Sequence, residues 1–127
     1  MVKMDEMQGR YLLAQVFNEK DDFKKAEDQL KILEEKYGED PKFYYFYNYY
    51  GYLLLNQGRV GEAIEKFKKQ VSLAPEKANP HDSLGEGYRK KGMLVESLKE
   101  YRKAYSISPS DRVKDIIEEL EGEISNK

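Results

Sequence analysis

Apolar side chains recur along this chain three or four residues apart, the spacing that places them on one face of an α-helix. The clearest case comes near the end, where lysine, aspartate and glutamate fill the opposite face. Its apolar stripe consists of Val113, Ile116, Ile117, Leu120 and Ile124. Over the whole chain the pattern predicts an all-α protein of seven helices, near residues 5–19, 22–37, 41–57, 60–73, 79–91, 94–107 and 110–123.

The helical pattern repeats itself after 34 residues. The matching pairs are Gly51 and Gly85, Gly58 and Gly92, Ala63 and Ser97, Phe67 and Tyr101, and Pro75 and Pro109. A weaker copy lies upstream at an offset of 37, where Ala14, Phe17, Ala26 and Leu30 match Gly51, Leu54, Ala63 and Phe67. A fixed period of this length indicates an array of similar structural units. We place the three extra residues of the first unit in the connection at 37–41.

The order of residues within one unit resembles the tetratricopeptide repeat. In the third unit this order is Leu84-Gly85, Tyr88, Gly92, Ser97, Tyr101 and Pro109. The resemblance implies an α-solenoid with a right-handed superhelix, built from three helix-turn-helix repeats and a C-terminal capping helix. We expect one domain over 1–127, with repeats near 7–40, 44–77 and 78–111 and the capping helix near 110–123.

The repeated glycines and prolines have mechanical roles in this prediction. Gly51 and Gly85 leave room for the second helix of each hairpin, on which Ala63 and Ser97 are the small facing residues. Glycine after a helix suits a left-handed turn, which is the role predicted for Gly58 and Gly92. The first unit carries Asp21 in place of that glycine. Pro75 and Pro109 end the second helices, because proline lacks the backbone donor that a helix needs.

The last predicted helix has the composition of a cap. The segment Ser108-Pro109-Ser110-Asp111 predicts a capping box at its start. Its apolar stripe would cover the last repeat while its acidic face meets water, as the end of a solenoid requires. A membrane-surface helix is the alternative, but such helices have a basic polar face. We therefore expect no membrane partner.

Composition narrows the partners further. The net charge is −2 and the isoelectric point about 5.6, whereas domains that bind nucleic acid carry a basic stripe. We therefore expect no nucleic-acid partner. The chain has no cysteine and shows neither a signal-peptide pattern nor a long apolar run, which favours a cytoplasmic location.

Catalysis has little support in the sequence. The single histidine, His81, occupies a position that packs in the resembled family, so we expect a packed or hydrogen-bonded side chain. Asp82 and Glu86 point away from it on a helix, which argues against a metal site. No phosphate-binding glycine loop or nucleophile motif is present. We expect neither an enzyme nor a cofactor.

An aromatic cluster over residues 43–52 is the most unusual local feature, holding eight of the sixteen aromatic residues. Most of these rings should fill the core, but some fall where the first helices of the resembled family line a concave groove. The predicted groove residues are Tyr11, Gln15, Tyr45, Asn48, Tyr49, Tyr52, Asp82, Glu86 and Arg89, with Gln8, Leu12, Asn18 and Ser83 beside them. For Tyr49 and Tyr52, binding and packing remain equal alternatives.

The resemblance implies a protein-protein interaction module that holds a peptide or helix of a partner in this groove. An amide-lined, aromatic and then acidic groove favours apolar or aromatic side chains and a basic residue. Members that bind acidic chaperone tails hold the terminal carboxylate with lysine, arginine and asparagine. The matching positions are Tyr11, Gln15, Tyr49, Asn79 and Ser83, with no cation, so we expect no such binding. The alternative function is a structural or assembly module, either a homo-oligomer or an appended domain of a larger bacterial protein.

Overall fold

A computed structural model describes residues 5–126 of the chain. Seven α-helices follow one another within this range, and no β-strand occurs in it. They are α1 (Glu6–Glu19), α2 (Phe23–Tyr37), α3 (Tyr45–Asn56), α4 (Val60–Leu73), α5 (Ala78–Lys91), α6 (Leu94–Ile107) and α7 (Asp111–Ser125). The predicted all-α class is confirmed, and most predicted helix ends lie within one or two residues of the observed ones. Among the described residues, no helix combines the length and apolar composition needed to cross a membrane.

Consecutive helices pack as neighbours along the whole array. The hairpins α1/α2, α3/α4 and α5/α6 have the most extensive packing, α5 also packs closely on α4, and α7 covers α6. The packing of α3 on α2 is thinner. One apolar core runs through the first five helices, and a smaller one joins α6 to α7. This serial packing is that of an α-solenoid, in which each unit is buried mainly by its neighbours.

Gly51 in α3 and Gly85 in α5 each make room for an aromatic ring on the second helix of the hairpin. A Cβ atom added at Gly51 would lie 2.2 Å from the Phe67 ring, and one at Gly85 would lie 2.8 Å from the Tyr101 ring. Both rings are buried. Ser97, the small residue opposite Gly85, donates a hydrogen bond of 2.7 Å to the Gly85 carbonyl. The close approach predicted for α5 and α6 is therefore present, with an aromatic ring rather than the small residue as its tightest contact.

The turns between paired helices use a left-handed backbone, as predicted. Gly58 and Gly92 have φ values of 78° and 84°. Asp21, which takes the place of the glycine in the first repeat, has φ of 60°. A non-glycine residue is uncommon in this region, and aspartate is among the residues that tolerate it best. All three repeats thus turn in the same way, although only two have the glycine that suits this backbone.

The connection between α2 and α3 differs from the prediction of one helix over 41–57. A 3-10 turn, Pro41–Phe43, precedes α3, which begins only at Tyr45. The Asp40 side chain caps this turn by accepting from the Lys42 amide at 3.0 Å. Asp40 and the following proline therefore start a short turn of their own before α3 begins. The three extra residues of the first repeat lie in this connection.

The start of α7 also differs from the prediction. The N-cap is Ser110, whose hydroxyl accepts from the Val113 amide at 3.2 Å. Ser108 instead ends α6 and Pro109 lies between the two helices, so the predicted capping box at Ser108 is wrong. Serine at 110 is two residues closer to the helix and satisfies one of its free amides directly. The predicted apolar stripe of α7 packs on α6.

Candidate functional site

Side chains from α1, α3 and α5, the first helices of the three repeats, meet along one face of the array. We call this surface the first-helix face. Its members are the nine predicted residues Tyr11, Gln15, Tyr45, Asn48, Tyr49, Tyr52, Asp82, Glu86 and Arg89, together with Asn18 and Ser83. Helices α3 and α5 contact each other directly, and the contacts described below connect α1 to α3. The face is therefore continuous across the three repeats.

A tyrosine cluster forms the part of the face between α1 and α3. The Tyr11 ring lies edge to face against Tyr45 at 5.5 Å and against Tyr49 at 5.7 Å, measured between ring centroids. This is the geometry that the quadrupole of an aromatic ring prefers. Tyr45 is 37% exposed, and Tyr11 and Tyr49 are half-buried. We call these three residues the tyrosine cluster. Tyr45 is its most exposed member.

Hydrogen bonds fix the tyrosine cluster in place. Asn18 donates to the Tyr49 hydroxyl at 2.8 Å, and the Tyr45 hydroxyl donates to the Met7 sulfur at 3.4 Å. Burial raises the pKa of Tyr11 above its ordinary value, because loss of water disfavours the phenolate. Rings held by several contacts lose little conformational freedom when a ligand binds. Gln15, on α1 beside the cluster, is half-buried.

The middle of the face is more closely packed. The Tyr52 ring lies edge to face against Phe67 of α4 at 5.1 Å, so it belongs to the packing between α3 and α4. Burial raises the pKa of Tyr52 to about 12, and the nearby Glu86 carboxylate also raises it. Ser83 donates a hydrogen bond to the Asn48 side-chain oxygen, which joins α5 to α3. These contacts favour a mainly structural role for Tyr52 and leave the tyrosine cluster as the exposed aromatic part.

The far end of the face is occupied by ion pairs with α7. Asp82 pairs with Arg112, and Arg89 pairs with Glu119 at 3.1 Å and with Glu123 at 2.7 Å. Glu123 and Glu119 raise the pKa of Arg89, since both carboxylates favour its charged form. The sequence predicted Asp82 and Arg89 as ligand contacts and did not reveal these pairs. The available signal was the acidic face of the last helix, which was assigned only to contact with water.

One cavity borders the first-helix face and a second lies away from it. One of about 310 Å³ lies between α5, α6 and α7 at the end of the first-helix face. Its lining residues are Glu86, Arg89, Lys90, Tyr101, Arg112 and Ile116. A larger one, about 400 Å³, lies between the second helices α2 and α4 on another part of the surface and is lined mostly by charged side chains. Its charged groups already pair with each other, as Arg59 does with Glu27 at 2.9 Å and Lys66 with Glu34 at 2.9 Å.

His81 is buried and hydrogen-bonded, as the sequence analysis expected. Its Nε2 lies 2.8 Å from the Pro75 carbonyl and its Nδ1 lies 2.8 Å from a carboxylate oxygen of Glu100. The carbonyl can only accept, so Nε2 is the donor in the bond to Pro75. Asp82 is bound to Arg112 instead. Within residues 5–126, no three histidine, aspartate or glutamate side chains are grouped so that they could hold a metal ion.

The comparisons with known proteins agree with this architecture. Residues 44–77 match the profile of the family described as Tetratricopeptide repeat. The fold is similar to the N-terminal domain of stress-induced protein-1 (STI-1) from C. elegans, with a TM-score of 0.80 and 19% identity, covering 93% of this chain and 99% of that one. No curated protein sequence gave a match.

Two further solved structures with a similar fold contain a bound peptide. The first TPR of Spaghetti (RPAP3), bound to the HSP90 peptide SRMEEVD, has a TM-score of 0.83 and 11% identity, covering 98% of this chain and 97% of that one. The Yersinia enterocolitica type III secretion chaperone SycD, in complex with a peptide of the translocator YopD, has a TM-score of 0.81 and 16% identity, covering 95% and 96%. At these identities the likeness shows a shared fold.

Proposed function

This chain is a tetratricopeptide repeat protein, and from that premise we propose that it is a protein-interaction module without catalytic activity. Its ligand is a peptide or helix of a partner protein, held on the first-helix face. Chains of the same fold with bound peptides, namely the Spaghetti domain with its HSP90 peptide and SycD with its YopD peptide, support a peptide ligand.

The observation that carries the proposal is the tyrosine cluster. It combines exposed ring surface with fixed geometry at the junction of two repeats. Tyrosine offers a large contact area with a polar tip, and a few aromatic anchors commonly supply most of the binding energy of an interface. Tyr45 is the most exposed member, and we assign it as the main anchor of the ligand.

The charges of the face limit the ligand further. Asp82 and Arg89 are already paired with α7, so Glu86 is the acidic group best placed to meet a basic residue of the ligand. We therefore propose a ligand with an apolar or aromatic side chain at the tyrosine cluster and a lysine or arginine towards α5. An electrostatic contact of this kind adds more to specificity than to affinity.

We also propose that acidic C-terminal tails of chaperones are not ligands. Of the five positions that hold the terminal carboxylate in family members that bind such tails, Tyr11 and Tyr49 are part of the tyrosine cluster. Ser83 is bound to Asn48. Removing a carboxylate from water without a cationic partner costs free energy and so opposes binding. Calorimetry with the peptide SRMEEVD should show no measurable heat, and micromolar binding would refute this part of the proposal.

Ligands can be selected from a random peptide library displayed on phage, with the whole chain as bait. Dissociation constants of the selected peptides are then measured for the natural chain and for Tyr45→Ala. We expect the substitution to weaken binding about thirtyfold, the equivalent of about 2 kcal/mol for loss of an anchor. The melting temperature should fall less than it does in Tyr52→Ala, because Tyr45 is the more exposed of the two rings.

A matched control comes from an aromatic residue of similar exposure elsewhere. Phe23, 39% exposed at the start of α2, lies outside the first-helix face, so Phe23→Ala should leave peptide affinity unchanged. Tyr49→Phe keeps the ring and removes the hydrogen bond from Asn18, and should weaken binding only slightly. Tyr52→Ala should lower the melting temperature, since that ring packs on Phe67. If the selected peptides bind Tyr45→Ala as well as the natural chain, the binding surface lies elsewhere.

A further inference from the structure

The cavity of about 310 Å³ between α5, α6 and α7 lies at the end of the first-helix face. Two residues of that face, Glu86 and Arg89 of α5, form part of its lining, so a peptide held on the face would pass beside it. Other parts of the wall are the buried Tyr101 ring of α6 and the half-buried Ile116 side chain of α7. The cavity therefore combines charged groups with an apolar wall, which suits a long side chain with a polar end.

The arginines that line the cavity already have carboxylate partners. Arg112 pairs with Asp82, and Arg89 pairs with Glu119 at 3.1 Å and with Glu123 at 2.7 Å. An anionic group of a ligand would have to displace one of these carboxylates before it could pair with either guanidinium. The displaced carboxylate would stay close and repel the newcomer. The cavity is therefore a poor site for an anion, although two arginines line it.

Glu86 is the charged group of this cavity that a ligand can satisfy. The residue is half-buried, and within residues 5–126 it takes part in none of the ion pairs around the cavity. Lys90, one turn later on α5, also lines the cavity but is exposed, so water and salt screen its charge. A partly buried carboxylate gains more from a cationic partner than one in open water. The cavity therefore favours a positively charged group beside Glu86.

Two tyrosines indicate the sign of the potential on this side of α5. Burial raises the pKa of Tyr101, and the Asp82 and Glu86 carboxylates raise it further. For Tyr52, burial and the Glu86 carboxylate act in the same direction. Both hydroxyl groups therefore stay protonated and keep oxygen lone pairs that can accept from a cationic donor. The carboxylates that disfavour a phenolate here favour a cation for the same reason.

We propose that this cavity binds an arginine side chain of the peptide ligand. The guanidinium pairs with Glu86 and donates to the Tyr101 hydroxyl, while the aliphatic stem lies along Ile116. Arginine suits the site better than lysine, because its planar group carries several donors and is more weakly hydrated, so it can meet a carboxylate and a hydroxyl together. This role rests on the proposed function, since a bound peptide supplies the arginine. It gives the ligand a second point of contact, separate from the tyrosine cluster.

A titration with a single amino-acid derivative tests the cavity without any peptide. N-acetyl-arginine N-methylamide is added to the whole chain, in which the isoleucine methyl groups are isotope-labelled for NMR. We expect a saturable shift of the Ile116 methyl signal, because Ile116 lines the cavity. The signal of Ile107, an exposed residue of α6 outside the lining, should not move. The corresponding citrulline derivative has nearly the same shape without the charge and should leave both signals unchanged.

Variants of the lining identify the groups that hold the guanidinium. Glu86→Gln should abolish the shift, because it removes the charge and keeps the shape of the side chain. Glu118→Gln is the matched control, since Glu118 is an exposed glutamate of α7 that does not line the cavity, and it should leave the titration unchanged. Tyr101→Phe keeps the ring against Gly85 and removes the hydroxyl, so it should raise the dissociation constant about threefold. A melting curve of each variant checks that the fold is intact.

Peptides selected on the whole chain provide a second test. Among the peptides that bind through Tyr45, we expect an arginine at a fixed distance from the aromatic residue. Glu86→Gln and the replacement of that arginine by citrulline should each weaken binding about tenfold, and the two changes together should weaken it no more than either alone. Peptides that depend on Tyr45 but bind Glu86→Gln unchanged would refute the arginine site and leave the proposed function intact.

Failure of the proposed function would give a different result. Selected peptides that bind Tyr45→Ala as well as the natural chain would refute the peptide site at the tyrosine cluster, while a saturable shift of Ile116 would still support a guanidinium site in the cavity. If the arginine derivative binds Glu86→Gln as well as the natural chain, or if the citrulline derivative binds equally well, the cavity does not recognise the charge and the arginine site is refuted.

Discussion

The second and third repeats have the same register but satisfy equivalent positions with different chemistry. Tyr47 and His81 are separated by one repeat and both are buried. The Tyr47 hydroxyl donates to the Gly38 carbonyl at 3.1 Å, and the His81 Nε2 donates to the Pro75 carbonyl at 2.8 Å. Both carbonyls belong to the connection that precedes the helix. A phenol and an imidazole thus perform the same task, which is to tie a repeat to the backbone that leads into it.

The imidazole of His81 has a second polar atom that requires a hydrogen-bond partner, whereas the phenol of Tyr47 has only its hydroxyl. Its second nitrogen is also buried and meets Glu100, a carboxylate on the second helix of the same repeat. The position of Glu100 is taken by Lys66 in the second repeat, which is half-buried, lies over the Tyr50 ring at 4.6 Å and pairs with Glu34. In the third repeat the buried histidine is therefore accompanied by a buried glutamate. In the second repeat, which has tyrosine instead, the position of that glutamate holds a lysine that forms an ion pair with α2.

At Gln70 it is the second repeat that has a buried polar side chain, and the third repeat that has an apolar one. The side-chain nitrogen and oxygen of Gln70 are buried and neither has a hydrogen-bond partner among the described residues. The same position holds Ala104 in the third repeat and Leu33 in the first, both apolar. In the third repeat the buried polar groups of His81, Ser97 and Glu100 are all bonded. The repeat pattern thus tolerates polar replacements, but an unbonded one lowers stability.

The largest expected effect concerns the glycines that meet the aromatic rings. Gly51→Ala should lower the free energy of unfolding by about 3 kcal/mol, and Gly85→Ala by about 1 to 2 kcal/mol, because overpacking forces a buried ring to move. The difference follows from the distances, 2.2 Å to Phe67 against 2.8 Å to Tyr101. Urea unfolding followed by circular dichroism measures both values. Adding Phe67→Leu to Gly51→Ala should recover part of the loss, and equal losses for the two glycines would remove this distinction between the repeats.

The next effect concerns the acid that accompanies His81. Glu100→Ala should cost about 2 kcal/mol, because it leaves a buried ring nitrogen without its hydrogen-bond partner. Glu96, one turn earlier on α6 and exposed, is the matched control, and Glu96→Ala should change stability very little. His81→Tyr in the Glu100→Ala background introduces the residue that the second repeat has at this position, and it should restore stability. If Glu100→Ala and Glu96→Ala unfold at the same urea concentration, the pair makes no net contribution.

The architecture could be predicted from the sequence because it depends on local signals that recur. Gly58 and Gly92 ended helices where a left-handed residue was required, Pro75 and Pro109 followed the second helices, and the apolar stripe of α7 had the helical period. These signals act within a few residues, so one chain is enough to interpret them. The 3-10 turn at 41–43 was missed, because Phe43 and the aromatic residues that follow it are also compatible with a longer helix.

The site was harder to predict, since it depends on contacts between distant residues. The sequence predicted Asp82 and Arg89 as ligand contacts, but only the packing of α7 shows that Arg112, Glu119 and Glu123 already bind them. For Tyr52, the spacing could not decide between groove and core, and the contact with Phe67 in α4 was not visible from α3 alone. Pairings of this kind depend on helix rotation, which the sequence pattern does not define closely enough.

A stabilising substitution is expected at Gln70. Gln70→Leu should raise the free energy of unfolding by about 1 kcal/mol, because it removes an unbonded buried amide and keeps most of the volume. Leu33 shows that leucine occurs at this position in another repeat. The converse change, Ala104→Gln, adds a buried amide to the third repeat and should be destabilising. Differential scanning calorimetry on both variants gives the two signs, and a loss of stability in Gln70→Leu would indicate that the amide is bonded in solution.

The smallest expected effect lies in the first repeat, where Asp21 turns the chain with φ of 60°. Asp21→Gly should stabilise the chain by about 0.5 kcal/mol, because glycine adopts this backbone without steric cost. This gain exceeds the stability lost through the greater freedom of glycine in the unfolded state. Asp21→Ala should destabilise it, since alanine lacks the short polar side chain that helps aspartate in this region. The neighbouring Asp22 caps α2 through the Lys25 amide, so Asp22→Ala should cost about 1 kcal/mol by a different mechanism. A urea midpoint that is highest for Asp21→Gly, lower for the natural chain and lowest for Asp21→Ala would show that the left-handed backbone decides which residue is most stable at this turn. If Asp21→Gly lowers the midpoint, the aspartate side chain contributes more to this turn than its backbone strain costs.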